Sequence, residues 1–447
     1  MIGKMMACVP ALFLSLLLYT SLSAQSLFEK AETSSKDKEI PYELNGYLRS
    51  TIFIGKVPDI NEGEIKSGYG EASLKLRVRK GNFGDAFAEI RFRRGYEFKE
   101  SINDLNLREA YVNTYVGPFD FRIGHQIVAW GRADGFNPTD NITPRNMLVR
   151  SPDEDDRREG NFLIRSYFNL QPMRLEAIWI PFFRSSVVPT NLLPFPPGIN
   201  LIDSDYPEAR LKNSAFALRL NLECASFDGS LSYFNGHNPF PGITANPPRI
   251  FADAVLLDIY LKSYRMHVFG ADFSTTVAGS LGFRGEVAYK KPHGDYDANI
   301  HIPNPDIQYA VGLDKEFSGN FSVILQYIGR YVCDFIELVK PPYPFDIAKY
   351  ELEHKNRMIA SQQYELSHSV SCRAEKRLLH ETLKIEALGM VNMTSEEYLL
   401  RPKLTYDIAD GITFILGGEL YSGPDTTLFG TIDSHLSALF TELKISF

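Results

Sequence analysis

The sequence predicts an all-β chain, an up-and-down antiparallel transmembrane β-barrel of about 18 strands behind an N-terminal signal peptide. Three observations predict it. Apolar and polar residues alternate at every second position, the connections between these stretches alternate short and long, and the last stretch ends on an aromatic residue, Phe447.

Residues 1–24 carry Lys4, an apolar run over 5–18 and then Thr20, Ser21, Ser23 and Ala24. A basic start, an apolar core and small residues at a cleavage point make a secretory signal. Pro10 interrupts the run, which falls short of the roughly 20 residues a membrane helix needs. Residues 25–42 are then expected as a short periplasmic segment and 43–447 as the barrel. No later segment reaches the roughly 18 consecutive apolar residues of a membrane helix.

From Glu43 the period is two. Leu44, Gly46, Leu48 and Ile52 fall on one face, against Glu43, Asn45, Tyr47, Arg49 and Thr51 on the other. Ala72, Leu74, Leu76 and Val78 alternate with Glu71, Ser73, Lys75, Arg77 and Arg79. After a turn at Lys80, Gly81 and Asn82, Ala86, Ala88, Ile90 and Phe92 alternate with Phe87, Glu89, Arg91 and Arg93. A soluble sandwich alternates too, so the connections have to discriminate.

Short connections are expected near 80–84, 117–119, 170–172, 224–226, 278–280, 318–319, 376–380 and 408–411. Longer ones are expected near 54–68, 94–106, 131–160, 181–212, 235–265, 291–305, 333–361 and 423–434, with a brief exception at 393–396. Tight periplasmic turns and longer extracellular loops are the habit of outer-membrane barrels. Segment 255–264, VLLDIYLKSY, could read as a strand but is assigned to a long loop, which keeps the count even. No amphipathic helix of useful length is expected. In the final strand Leu443, Ile445 and Phe447 share a face, resembling the signal by which outer-membrane barrels are recognised for assembly.

The 23 Tyr and 31 Phe suit two aromatic girdles. A formal net charge of -8, one unit more negative once Lys4 is cleaved, makes nucleic acid a poor partner. Loss of Cys8 leaves Cys224, Cys333 and Cys372, without metal or disulfide-scaffold spacing. Enzymatic machinery is not expected. His380-Glu381 is followed by Lys384 where a zinc motif needs His, and no G-x-S-x-G elbow occurs. The run Asp153, Glu154, Asp155 and Asp156 lacks the Gly and terminal Glu of a calcium loop. No cofactor or metal is called for.

FRIGHQIVAWG, with Arg122, Gly124, Gln126, Trp130 and Gly131, resembles a strand motif of a poorly characterised group of Gram-negative outer-membrane proteins. The resemblance continues through Asn137-Pro138-Thr139-Asp140, Pro144-Arg145 and DDRREG ending at Gly160. It extends to IWIPFF, GADFS, FRGEVAY and LQYIGRY, so it covers most of the mature chain. It implies a porin-like barrel in the bacterial outer membrane, distantly similar to alginate-export-type 18-stranded channels. It implies no substrate.

The expected function is passive diffusion of small polar or charged solutes. The expected pore-lining residues are Arg49, Lys75, Arg77, Arg79, Glu89, Arg91, Arg93, Glu109, Arg122, Gln126 and Trp130. Charge at this density means either a watery lumen or a wall braced by pairs with Glu43, Glu71, Asp85, Glu89, Glu109 and Asp120. Asp153, Glu154, Asp155 and Asp156 are constriction candidates if loop 131–160 folds inward, facing Arg77, Arg79, Arg91 and Arg93 across the pore. The alternatives are a transporter of one apolar or polymeric cargo, or an adhesive or structural surface barrel. Expected partners are outer-membrane lipid and lipopolysaccharide, the barrel-assembly machinery acting on the Phe447 strand, and small solutes. Oligomeric state stays open.

Overall fold

The computed structural model describes residues 42–57, 62–192, 195, 198–250, 255–294, 296, 298–342 and 344–447. The expected signal peptide and the segment 25–41 lie outside the described residues, and Tyr42 opens the first strand.

In chain order the strands are β1 (Tyr42–Lys56), β2 (Gly63–Lys80), β3 (Gly84–Glu97), β4 (Glu100–Val116), β5 (Phe119–Gln126), β6 (Asn161–Leu170) and β7 (Met173–Ile180). Then come β8 (Ile199–Leu201), β9 (Ala215–Glu223), β10 (Phe227–His237), β11 (Gly242–Ala245), β12 (Arg249–Ile250), β13 (Val255–Lys262) and β14 (Arg265–Val277). The rest are β15 (Leu281–Pro292), β16 (Asp306–Phe317), β17 (Phe321–Val332), β18 (Leu366–Leu378), β19 (Leu383–Asn392), β20 (Glu397–Ala409), β21 (Ile412–Ser422) and β22 (Ala438–Ser446). Two helices are described, α1 (Pro344–Ile359) and α2 (Leu428–Leu436).

Eighteen strands form one sheet, leaving out β8, β11, β12 and β13. Each pairs antiparallel with its neighbours, and β1 meets β22 from Tyr47↔Ser446 to Ile54↔Leu439, so the sheet closes. Closure removes the unpaired edges that neither lipid nor water-excluding neighbours would satisfy.

The two faces are inverted relative to a soluble protein. Leu74 (47 %) and Ile90 (45 %) are exposed on the outer wall, while Arg49 (7 %), Glu89 (3 %) and Glu286 (4 %) are buried inside. Such a wall is stable only if hydrocarbon covers it. The chain is a transmembrane β-barrel, and the alternation seen in β1, β2 and β3 keeps the expected faces.

Three local expectations need correction. The loop expected at 94–106 is a two-residue turn, with Phe98 (φ 47°) and Lys99 (φ 68°) both left-handed, as a tight hairpin demands. The strands β3 and β4 continue above the hydrocarbon, where outward positions such as Arg94 and Asn103 are polar. The ladder therefore persists after the hydrophobic alternation ends. Likewise the loop expected at 54–68 shrinks, because β1 and β2 stay paired up to Lys56↔Gly63.

Segment 255–264 contains a strand, β13, that is not part of the barrel. It pairs with β11, β12 and, in parallel, β8. Helix α1 packs on this small sheet, burying Leu352 and Met358 against Ile243, Leu257, Ile259 and Leu261. Asn356 fixes the contact, accepting from the Ile243 N–H at 2.7 Å and donating to its carbonyl at 2.7 Å. Three long connections at one end of the barrel thus build a cap with its own apolar core. The helix contradicts the expectation that no useful amphipathic segment exists. Its signal was present as Ala348, Leu352, Lys355 and Ile359, spaced to share one face.

Candidate functional site: a strap across the lumen

Between β5 and β6 the chain leaves the wall. Residues 127–160, here called the strap, run through the barrel interior and touch strands on opposite sides of the bore.

On one side the seat is apolar. Val128, Trp130 and Ile142 pack against inward residues of the wall that include Leu163, Ile178, Phe234 and Met266. These wall residues alternate with outward Phe162, Phe216 and Phe269, so both faces of the strands are apolar here. Burying them against the strap removes them from water.

Next to this seat a carboxylate clamps the strap backbone. Glu286 accepts from the N–H groups of Arg132 (3.0 Å), Ala133 (3.2 Å) and Thr139 (2.8 Å), and from the Thr139 hydroxyl (2.8 Å). Gly131 makes the approach possible. Its φ is +104°, and a Cβ there would lie 2.6 Å from the Glu286 carboxylate. Arg132 reaches Asp272 at 2.6 Å, and Asp134 reaches Arg373 at 3.0 Å.

The far half of the strap is held by charge. Asp156 lies 2.7 Å from Arg49 and 2.8 Å from Arg91. Burial opposes ionisation of this carboxyl, yet Arg49 and Arg91 hold it well below the usual carboxylate range. Glu154 meets Arg401 at 2.6 Å. Arg150 is 1 % exposed. Its guanidinium sits 4.4 Å over the Phe53 ring and donates to the Leu436 carbonyl at 2.6 Å. The Arg150 carbonyl in turn accepts from Tyr69 and Arg93, both at 2.8 Å.

The expected site residues therefore divide. Arg49, Arg91 and Arg93 gather at the strap, and Glu89 joins them through Arg91 at 2.7 Å. Glu109 accepts the Ile127 N–H at 2.9 Å, where the strap begins. Lys75 is 3.9 Å from Glu89. Arg77 stacks over Phe87 at 5.5 Å, Arg79 pairs with Glu43 at 3.2 Å, and Arg122 stacks over Tyr111 at 4.3 Å while donating to Asn113. Arg77 and Arg79 stand near the turn that joins β2 to β3, away from the acidic run. The expected field across an open throat is replaced by direct contact, because Asp156 reaches the wall. Asp155 pairs with Arg158 at 2.8 Å, and Asp153 accepts the Asp155 N–H at 3.0 Å. Gln126 and Trp130 point inward but are enclosed, at 0 % and 2 % exposure.

The expectation missed Glu286, Asp272, Arg373 and Arg401, and also Glu419, which pairs with Arg401 at 2.9 Å and with Arg150 at 3.5 Å. Asp272 and Glu286 lie in GADFS and FRGEVAY, and both are acids at buried inward positions of their strands. That was the available signal.

Above the strap and under the cap lies a cavity of about 670 Å³. Asp140, Arg145, Lys290, Asp306, Arg330 and Asn356 are among its lining residues. Asp140 pairs with Arg145 (3.2 Å) and Arg158 (2.6 Å), and Asp306 with Arg330 (3.3 Å). Lys290 lines the same space from β15.

No family model and no curated protein matches this sequence. Solved structures do match in fold. OccAB1 of Acinetobacter baumannii superposes with a TM-score of 0.55 at 10 % identity, over 92 % of this chain and 98 % of that one. The fold is that of an 18-stranded outer-membrane porin. OccAB4 of the same organism gives 0.53 at 10 % identity over 92 % and 98 %. OccK11 (OpdR) of Pseudomonas aeruginosa gives 0.51 at 10 % over 91 % and 96 %. At such identity the likeness carries the porin architecture and not the strap contacts described above.

Proposed function

We propose that the protein is a non-catalytic channel of the outer membrane for passive diffusion of small polar or charged solutes, with the strap setting the path. The observation that carries this reading is the bore itself: a closed barrel with charged inward residues and a segment tied across it by Asp156 and Glu286. Charged walls hold water and orient ions, whereas an apolar cargo would have to desolvate them. The pore-lining set runs from the periplasmic end, with Lys75, Arg77, Arg79 and Arg122, to the strap at Arg49, Glu89, Arg91, Arg93 and Glu109. The acidic residues Asp153, Glu154, Asp155 and Asp156 form part of the constriction.

The capped cavity favours selection among solutes over free diffusion. Grouping with the motif-bearing family, and through it with alginate-export-type channels, rests on the segment from Arg122 to Gly131. Single-channel recording of the purified barrel in planar bilayers tests the reading. Stepwise conductance with a defined reversal potential under a salt gradient is expected, and a barrel that inserts without conducting overturns it.

A further inference from the structure

The outer wall carries a cluster of basic side chains that solute passage does not use. At the extracellular ends of β14 and β15 the lipid-facing side presents Arg265, His267 and Lys291, with His293 one residue beyond β15. His267 and Lys291 are direct register partners, and the His293 N–H donates to the Arg265 carbonyl at 2.7 Å. The four side chains therefore form a two-by-two grid. The His267 and His293 rings lie 4.1 Å apart.

Among the described residues no carboxylate pairs with Arg265, His267, Lys291 or His293. Arg265 spends its hydrogen bonds on neutral acceptors, the Asn235 side chain (2.8 Å) and the Lys212 (3.3 Å) and Ser214 (3.0 Å) carbonyls. Those contacts fix the guanidinium and leave two of its five N–H groups free. The Tyr233 hydroxyl lies 2.8 Å from His267 Nδ1. When it donates there, the other ring nitrogen carries a proton and serves as a donor. Arg265 and Lys291 stand diagonally across the two strands, within reach of a single anion, and the His267 N–H adds a donor between them.

Its height on the wall says which anion. Just below it, Phe269, Leu231 and Val287 are exposed apolar residues of the hydrocarbon band. Tyr233 and Tyr289 mark the interface, where aromatic girdles sit. The grid therefore stands on the lipid-facing side of β14 and β15 at the level of the lipid headgroups.

We propose that Arg265, His267, Lys291 and His293 form a binding site for a phosphate group of the phosphorylated glycolipid of the outer leaflet, whose acyl chains lie on Leu231, Phe269 and Val287. The proposal rests on the outer-membrane placement of the barrel and not on solute conduction. The test uses the full-length folded barrel in detergent and native mass spectrometry, with bisphosphorylated lipid A, dephosphorylated lipid A and phosphatidylglycerol as probes. The variants are R265Q/K291Q, K291Q alone, and R94Q as an outward-facing control on β3. Wild type and R94Q should retain bisphosphorylated lipid A, and R265Q/K291Q should lose about tenfold in affinity, as expected for charge-assisted hydrogen bonds. K291Q, at an exposed position, decides the matter by a smaller loss if the double variant does not fold. Undiminished binding by the variants overturns the proposal. So does equal binding of dephosphorylated lipid A, which would leave only the acyl contact, or equal binding of phosphatidylglycerol, which would make the patch a general anion contact.

Discussion

The Asp156 carboxylate lies 2.7 Å from the Arg49 guanidinium, although 107 positions of chain separate them. The pair ties the strap to the first strand of the barrel. Arg49 also meets Glu71 at 2.7 Å and Glu442 at 3.7 Å, so the strap is fastened beside the closing seam. Its removal has consequences that follow from burial.

Replacing Asp156 with Ala leaves Arg49 and Arg91 buried with one fewer counter-charge. Breaking a buried pair costs roughly 3–5 kcal/mol, and Glu71 and Glu89 recover part of it. Larger open-pore noise and a raised conductance are expected in planar bilayers. Wild-type noise and conductance in a correctly folded variant would detach this contact from the path of ions.

Acidification to about pH 5 should leave that tie intact. The folded value of Asp156 is held below its unfolded value of about 3.9, so its stabilising contribution is present above the unfolded value. It is lost only as pH falls through the folded value. Conductance noise measured from pH 7 to pH 5 should match, and a transition that D156A abolishes within that window would contradict the assignment.

Gly131→Ala should dislodge the strap on its other side. The substitution strains a left-handed position and drives a methyl group toward the Glu286 carboxylate. Glu286→Gln weakens the same clamp by removing its charge, at roughly 1.5–3 kcal/mol for a hydrogen bond to an ionised group. Limited proteolysis of folded barrels should then cut within 131–139, where wild type resists. Identical digestion of all three proteins would refute the clamp.

Deletion of Phe447 should lower the yield of heat-modifiable barrel. The Gly46 N–H donates to the Phe447 carbonyl at 2.9 Å and the Phe447 N–H to the Gly46 carbonyl at 3.0 Å, which completes the seam. The ring of Phe447 also covers the space beside Gly46, a known way of stabilising a strand glycine. Backbone groups left open at a membrane edge cost several kcal/mol each. Unaltered assembly of the shortened chain would place the recognition signal elsewhere.

Orientation is checked by single cysteines in a background lacking Cys224, Cys333 and Cys372. Lys340, in the connection that carries α1, should react with an impermeant reagent in intact cells, and Asp410, in a tight turn, should not. The reverse pattern means the barrel is inverted.

The period-two alternation in β1, β2 and β3 determined those strands and their outward faces, because side-chain direction in a strand is a local property of the backbone; the barrel was legible in the alternation of short and long connections and in the aromatic end of the last strand. The same locality explains the errors. Above the hydrocarbon Arg94 and Asn103 face water, so the β3–β4 hairpin lost its sequence signal while keeping its hydrogen bonds. Residues 255–264 alternate like any strand, and only tertiary pairing assigned them to the cap instead of the wall. An inward position was legible for Arg49 and Arg91, and an acidic run for Asp153 to Asp156. That Asp156, and neither Asp153 nor Asp155, meets both arginines depended on barrel closure and on the Gly131–Glu286 contact that steers the strap inward. Partners more than 100 residues apart leave no local pattern, since their meeting is decided by the geometry of the closed wall and not by the neighbours of either residue.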